Sequence, residues 1–296
     1  MPLLQIVSTR PRAGKSTVAV ALARGLHKAG LRVSLVRAGD GDAAGPDAAS
    51  FAAIDLAGAA NAAPDGDGPA DEIVIVEGDA GAELLSAAAI VVVRTEVGEA
   101  DSRLAASLGD RLLGTIATAV VPDRVESVAR DLTNGGLRPL ALMTEDRGLA
   151  APSVGEIGAA LGAELLYAGD NESATVEDIV IAPVFADPAQ PHFGRFAAKA
   201  VLAPFNKTDL HLAAIETAAT CLVITGGQRP SPYVLDRAQG EATTVLLAPN
   251  ETPATLAALA GVWSVSRFRG EMKAQRALAQ LEGRIDFAAL AKRLAD

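Results

Sequence analysis

The sequence predicts a doubly wound, mostly parallel α/β sheet followed by a second, smaller α/β unit. Three observations lead to this. Continuous apolar runs, of the kind that form strands buried on both faces, alternate with Ala- and Leu-rich helical stretches over the first 180 residues. The first of these runs leads directly into Gly14-Lys15-Ser16-Thr17. Near residues 171–195 the alternation breaks at Asn171-Glu172-Ser173 and at Asp187-Pro188-Ala189-Gln190-Pro191, then resumes.

The elements follow in order. Leu3 to Val7 is the first strand, and a helix is expected from about Ser16, with Val18, Val20, Ala21, Leu22 and Leu26 on its apolar face. Further strands are expected at Val33 to Val36, Ile73 to Val76, Ala89 to Val93, Thr115 to Val120 and Pro139 to Met143. Residues 39–70 are rich in Gly, Ala, Asp and Pro and predict a loop region around one short helix near Ser50 to Leu56. The second unit has strands at Lys199 to Ala203, Cys221 to Thr225 and Thr244 to Ala248, with helices at about Asp209 to Thr217, Ser231 to Gln239 and Thr252 to Leu259. A charged amphipathic tail from Phe268 to Asp296 carries Leu278, Leu281 and Ile285 on one face, with an N-cap at Asp286 before Leu290 and Leu294. That stripe suits the chain's own core or a dimer contact equally. The expected domains are residues 1–174, 175–267 and the tail 268–296.

Composition narrows the classes. The 296 residues suit two domains, and with 50% hydrophobic but 3% aromatic residues the cores must be built from Ala, Val, Leu and Ile. A single cysteine, Cys221, allows neither a disulfide framework nor a cysteine cluster within one chain, and its apolar flanks predict a buried, inert thiol. Arg10, Arg12 and Lys15 interrupt any signal-peptide core, and no apolar run reaches the roughly 20 residues of a membrane span. The expectation is a cytoplasmic protein without a membrane partner. A net charge of −10 without a basic block argues against a nucleic-acid partner.

Ser8-Thr9-Arg10-Pro11-Arg12-Ala13-Gly14-Lys15-Ser16-Thr17 reads as a phosphate-binding loop. A strand, a tight turn and a helix start aim backbone N–H groups at an anion, Lys15 adds a mobile positive charge, and Ser16 supplies a hydroxyl for a phosphate-bound Mg²⁺. The loop consensus places glycine where this chain has Thr9, so what survives is the GKST core. Asp71-Glu72-Ile73-Val74-Ile75-Val76-Glu77-Gly78 then delivers a carboxylate, Glu77, at a strand's C-terminal end, whereas Asp71 and Glu72 fall at the opposite end. Gly78, Asp79 and Gly81 make either a phosphate-approaching turn or a plain strand-to-helix turn. The expected cofactor is Mg²⁺ with ATP, on Thr9, Arg12, Gly14, Lys15, Ser16, Thr17 and Arg37, with Ser16 and Glu77 on the metal. In the second unit Thr225-Gly226-Gly227 follows an apolar strand, and Thr208, Asp209 and the Asn250-Glu251-Thr252 turn could face it as a second ligand site. Helix capping by Thr208, Asp209 or Thr252 is the competing reading. His27, His192 and His211 form no ligand pair, and no serine sits in a GxSxG turn.

The succession IVSTRPRAGKSTVAVALARGL, LRVSLVRAG, IVIVEG, LLGTIATAVVP and TEDRGLAAPSVGEI resembles the dethiobiotin synthetase-like domain at the N-terminus of long bacterial phosphotransacetylases. KAVLAPFNKTDLHLAAI, CLVITGGQRPSPYVLDRA and NETPATLAAL resemble the DRTGG domain that follows it there. The resemblance implies a P-loop nucleotide-binding fold, a homodimer and a regulatory role. The chain departs from it at several points: Arg37-Ala38 replaces the Lys-Pro whose lysine meets substrate, Thr118 stands where an asparagine reads the base, and Asn206-Lys207 replaces the Asp-Arg hallmark. No counterpart of the phosphate-acyltransferase domain is expected within these 296 residues. These departures favour a regulatory or sensing module with slow ATPase activity and a protein partner. The alternatives are an ATP-dependent ligase in which Arg37 holds the acid, and a scaffold that binds no nucleotide.

Overall fold

A computed structural model of the chain describes residues 2–38, 51, 72–79, 83–85, 87–169, 174–183 and 189–295. The expected loop and short helix of residues 39–70 lie outside these, except Phe51, which is helical and buried. Asp71, Gly81, Asn171-Glu172-Ser173 and Asp187-Pro188 also lie outside the described residues.

The chain divides into two compact units, one comprising Met1–Leu149 with Phe268–Asp296 and the other Ala150–Arg267. Unit 1 begins β1 (Leu3–Val7), α1 (Lys15–Lys28), β2 (Arg32–Arg37), β3 (Glu72–Glu77) and β4 (Ala88–Arg94). It continues α2 (Glu99–Leu108), β5 (Leu112–Val120), α3 (Val125–Asn134), β6 (Pro139–Thr144) and α4 (Arg147–Ala150). The six strands run in the order β2-β3-β1-β4-β5-β6, and every neighbouring pair is parallel. From β1 the sheet grows in both directions, to β3 and β2 on one side and to β4, β5 and β6 on the other, so the strand order reverses at β1. The doubly wound parallel sheet expected from the apolar runs is the fold of this unit.

Strand alternation sorts the side chains between two layers. Leu4 and Ile6, Ile73 and Ile75, and Ile90 and Val92 pack on Val18, Leu22 and Leu26 of α1. On the opposite face Val7, Val91 and Val93 meet Ala105 and Leu108 of α2 and Val128 and Leu132 of α3.

Unit 2 has α5 (Val154–Leu161), β7 (Glu164–Tyr167), β8 (Asp178–Ile181), α6 (Ala189–Phe193), β9 (Lys199–Pro204) and α7 (Thr208–Glu216). After these come β10 (Cys221–Thr225), α8 (Pro232–Gly240), β11 (Thr244–Leu247), α9 (Thr252–Leu259) and α10 (Val262–Val265). Its five strands run β7-β11-β10-β9-β8; β8 to β11 are parallel, and β7 closes one edge antiparallel to β11. Val201, Ala203, Leu222 and Ile224 face α6, α7 and α8, while Ala200, Leu202, Cys221 and Val223 face α5 and α9. Cys221 is fully buried and burial pushes its thiol pKa up, which makes it inert.

The expected domain boundaries differ from this division at two places. Residues 150–174 belong to unit 2, because β7 pairs with β11 and because Val154, Ile157 and Leu161 of α5 lie in the same core as β9, β10 and β11. The tail is not a separate segment. Its helices α11 (Glu271–Leu281) and α12 (Phe287–Ala295) place Ala274, Ala277, Leu281 and Leu290 in the core that holds α1. A Cβ on Gly25 would lie 2.1 Å from Phe287 Cε1, so α12 packs directly on α1. Of the stripe offered as a dimer contact, Leu281 is buried in this core and Ile285 packs against it, while Leu278 is half-buried. Asp286 caps α12 as expected, its Oδ1 accepting from the Ala289 N–H at 2.9 Å. Among the described residues no helix is long and apolar enough to cross a membrane.

Candidate functional site

The loop after β1 lies where the strand order of unit 1 reverses, at the carboxyl edge of the sheet, the place where open α/β sheets bind ligands. Val7 ends the strand and α1 begins at Lys15, one residue earlier than the sequence suggests. Gly14 sits before it with φ 93°, a left-handed conformation that glycine adopts without strain. A Cβ there would come within 3.0 Å of Thr118 Oγ1. Arg12 is also left-handed, at φ 55°, and is exposed. Thr17 is half-buried in the first turn of α1.

Lys15 is buried, and its Nζ donates to Ser8 Oγ at 2.9 Å, while Ser8 Oγ donates to the Arg10 carbonyl at 2.8 Å. The ammonium thus lies folded against its own loop at the positive end of α1. Ser16 Oγ donates to Glu77 Oε1 at 2.9 Å. Strand alternation explains this pairing. Glu77 shares the parity of Ile73 and Ile75, so it projects toward the layer that contains α1, and the β1–β3 register sets it beside Ile6 at the end of β1. Burial of Glu77 to 3% exposure leaves its carboxylate in a low-dielectric setting next to the helix start. Glu72, at the far end of β3, is remote from this edge.

Arg37 follows the same logic with a different outcome. It pairs with Glu77 across β2 and β3, so both reach the same sheet edge. Its Nη1 donates to the carbonyls of Ala38 and Glu77, and its Nη2 forms an ion pair with Asp79. The guanidinium, 3% exposed, is held by its own strand neighbours. Thr118 likewise has a job within the fold: its Oγ1 donates to the Ala13 carbonyl at 2.6 Å, tying the end of β5 to the loop. Two further residues at this site, Ser8 and Asp101, were not singled out in the sequence. Asp101 Oδ1 accepts from Thr9 Oγ1 at 2.5 Å.

In unit 2, Thr208 and Asp209 open α7 after β9, and Thr225, Gly226 and Gly227 leave the neighbouring strand β10, so all five lie at one edge of the sheet. The capping reading does not describe this edge. No side chain caps α7, whose N-cap position is Lys207, and Thr252 Oγ1 lies 2.7 Å from Thr225 Oγ1 instead of capping α9. The glycines have positive φ, 97° and 67°, as the tight turn requires. Their N–H groups donate to the carbonyls of Asn250 and Ala248 at 2.9 and 3.0 Å, so the turn closes on the loop before α9 rather than presenting amides to a ligand.

His211 in the second turn of α7 is fully buried, its Nε2–H donating to the Pro204 carbonyl at 2.9 Å, while Nδ1 has no partner among the described residues. Burial lowers its pKa below the ordinary histidine value of 6.5, against weaker raising by that hydrogen bond and by Asp209. Below the ordinary value the unfolded chain takes up a proton that the folded chain refuses. Stability is therefore present above about pH 6.5 and falls as pH drops below it. His211→Gln should flatten the decline of the unit 2 melting temperature between about pH 6.5 and 5. Identical slopes in the two proteins would remove His211 as the cause.

Comparison with known proteins completes the description. Residues 156–262, which lie within unit 2 and begin two residues inside α5, match the model of the DRTGG domain. One similar solved structure is that of the CBS and DRTGG domains of the regulatory region of Clostridium perfringens pyrophosphatase complexed with the activator diadenosine tetraphosphate. It is 16% identical, with 51% of this chain and 75% of that chain covered and a TM-score of 0.35. Another is the MinC:MinD cell division protein complex of Aquifex aeolicus, also 16% identical, with 50% of this chain and 83% of that chain covered and a TM-score of 0.40.

Proposed function

We propose that unit 1 binds Mg·ATP and that the chain acts as a nucleotide-dependent regulatory or sensing module, with slow turnover, through its association with a DRTGG domain. The observation that carries this reading is the Ser16 Oγ to Glu77 Oε1 distance of 2.9 Å beside Lys15 at the start of α1. A hydroxyl and a carboxylate are hard oxygen donors. Neighbouring ligands of an octahedral Mg²⁺ at about 2.0–2.1 Å lie about 2.9 Å apart, so the pair fits one edge of a magnesium coordination shell. Bound there, the ion would neutralise phosphate charge. Ser16 and Glu77 would hold it, the amides at the start of α1 would face the phosphates, and Lys15 would swing from Ser8 to the β and γ groups.

Arg37 supports the sensing reading over the ligase. An acid substrate would have to displace Asp79 from the guanidinium and disturb the contacts with the Ala38 and Glu77 carbonyls. Calorimetry with Mg·ATP, combined with turnover in a panel of small carboxylates, tests the choice. Binding with turnover unaffected by carboxylates is expected, and Arg37→Ala should change the basal rate by less than about tenfold, or 1.4 kcal/mol of barrier. A carboxylate that raises turnover about a hundredfold, with the gain lost in Arg37→Ala, would instead establish the ligase.

Glu77→Gln isolates the metal. It should weaken Mg·ATP binding about tenfold while metal-free ATP, measured in a chelator, binds within about twofold of the wild type. Equal losses with and without Mg²⁺ would show that Glu77 does not act through the ion. The module is proposed to be cytoplasmic, to signal its nucleotide state to a protein partner and to pair as a homodimer. A single-chain mass by light scattering at micromolar concentration would refute the pairing.

A further inference from the structure

We infer that Asp101 is a positioning residue of the nucleotide site, setting the shape of the phosphate loop through Thr9; the inference rests on the nucleotide-binding reading above. The loop carries threonine where a glycine is the common choice, and its backbone there is not left-handed, so a side chain is accommodated and can hold the loop. Thr9 provides that side chain. Its hydroxyl donates at 2.5 Å to Asp101 Oδ1, and the second carboxylate oxygen accepts from the Gly98 N–H at 2.9 Å. Asp101 is 2% exposed and stands in the first turn of α2, so both oxygens are satisfied within the protein. Gly98 has no side chain, and the Asp101–Gly98 bond is therefore half of a capping box whose other carboxylate oxygen is directed at the loop.

A second contact joins the same two elements. A Cβ on Gly98 would lie 2.8 Å from Arg10 Nη2, so the Arg10 side chain runs across the start of α2 beside the Thr9 bond. The other end of the loop is fixed by Thr118 on the Ala13 carbonyl at 2.6 Å. Residues 10–12, exposed between these anchors, are shaped by both. Asp101 reaches the loop through its bond with Thr9. The first turn of α2 is thus the element through which affinity at the loop is set from outside it.

A double-mutant cycle on Mg·ADP affinity, read by calorimetry beside thermal melts, tests this. Thr9→Val and Asp101→Ala should each weaken binding about tenfold, the loss of one hydrogen bond to a charged group, and the double variant should lose no more than about tenfold. Asp101→Asn should bind within about threefold of wild type, because its amide oxygen accepts from Gly98 while its NH₂ donates to Thr9. Thr9→Val keeps the α2 cap but leaves Asp101 Oδ1 without its donor, so it should melt a few degrees below wild type, and binding measured well below that transition separates affinity from stability. Wild-type affinity in Thr9→Val, or losses that multiply to about a hundredfold in the double variant, would overturn the inference. If wild type binds and Lys15→Ala does not, an unaffected Thr9→Val removes the inference alone. No binding by wild type removes the nucleotide reading and the inference together.

Discussion

Replacing Lys15 by alanine should weaken Mg·ATP binding about a hundredfold, or about 2.7 kcal/mol, while the protein still folds. The size follows from what the ammonium does. It sits buried at the start of α1 with Ser8 as its resting partner, a short swing from the place where the helix start and the Ser16–Glu77 pair converge. A charge-assisted contact in so dry a site is at the strong end of its range. The fold should survive because the loss leaves behind a Ser8 hydroxyl that keeps its bond to the Arg10 carbonyl. Calorimetry with ATP, and a melt showing both transitions intact, checks it. Unchanged affinity in a well-folded variant would end the phosphate-loop reading.

The second large effect is expected far along the sequence. Leu281→Ala should destabilise unit 1 by roughly 3 kcal/mol, because a fully buried leucine in α11 would leave a cavity against α1. In a unit of this size roughly 2–4 °C is lost per kcal/mol, so its melting transition should fall by about 6–12 °C. The transition of unit 2 should stay in place. Scanning calorimetry that showed the unit 2 transition moving, with that of unit 1 unchanged, would contradict the division of the chain.

Which parts of this could be foreseen from residues alone has a physical pattern. The six strands of unit 1 and the loop were legible because strands buried on both faces write continuous apolar runs, and a GKST after such a run has few other uses. Glu77 was legible because its strand is long and its position terminal. The edge strands of unit 2 were not: β7 and β8 are four residues each, partly exposed, and periodicity cannot separate them from loop. The tail's stripe named an apolar face without naming its partner. Arg37 was read by charge alone, and the carbonyls and carboxylate that hold it come from its neighbours on β2 and β3 and from Asp79. Asp101 is 92 residues from Thr9, and the only local trace was the Gly98-x-x-Asp101 spacing at a helix start.

The docking of α11 and α12 on α1 also fixes an order of events during synthesis. The first helix of unit 1 emerges first, yet the helices that cover its apolar face are made only after all of unit 2 has been translated. Until then Val18, Leu22 and Leu26 have the sheet on one side and an uncovered flank where Ala274, Ala277 and Leu281 will lie. A nascent chain halted before residue 268 is therefore a sticky intermediate, while the DRTGG unit, continuous in sequence, can already be complete.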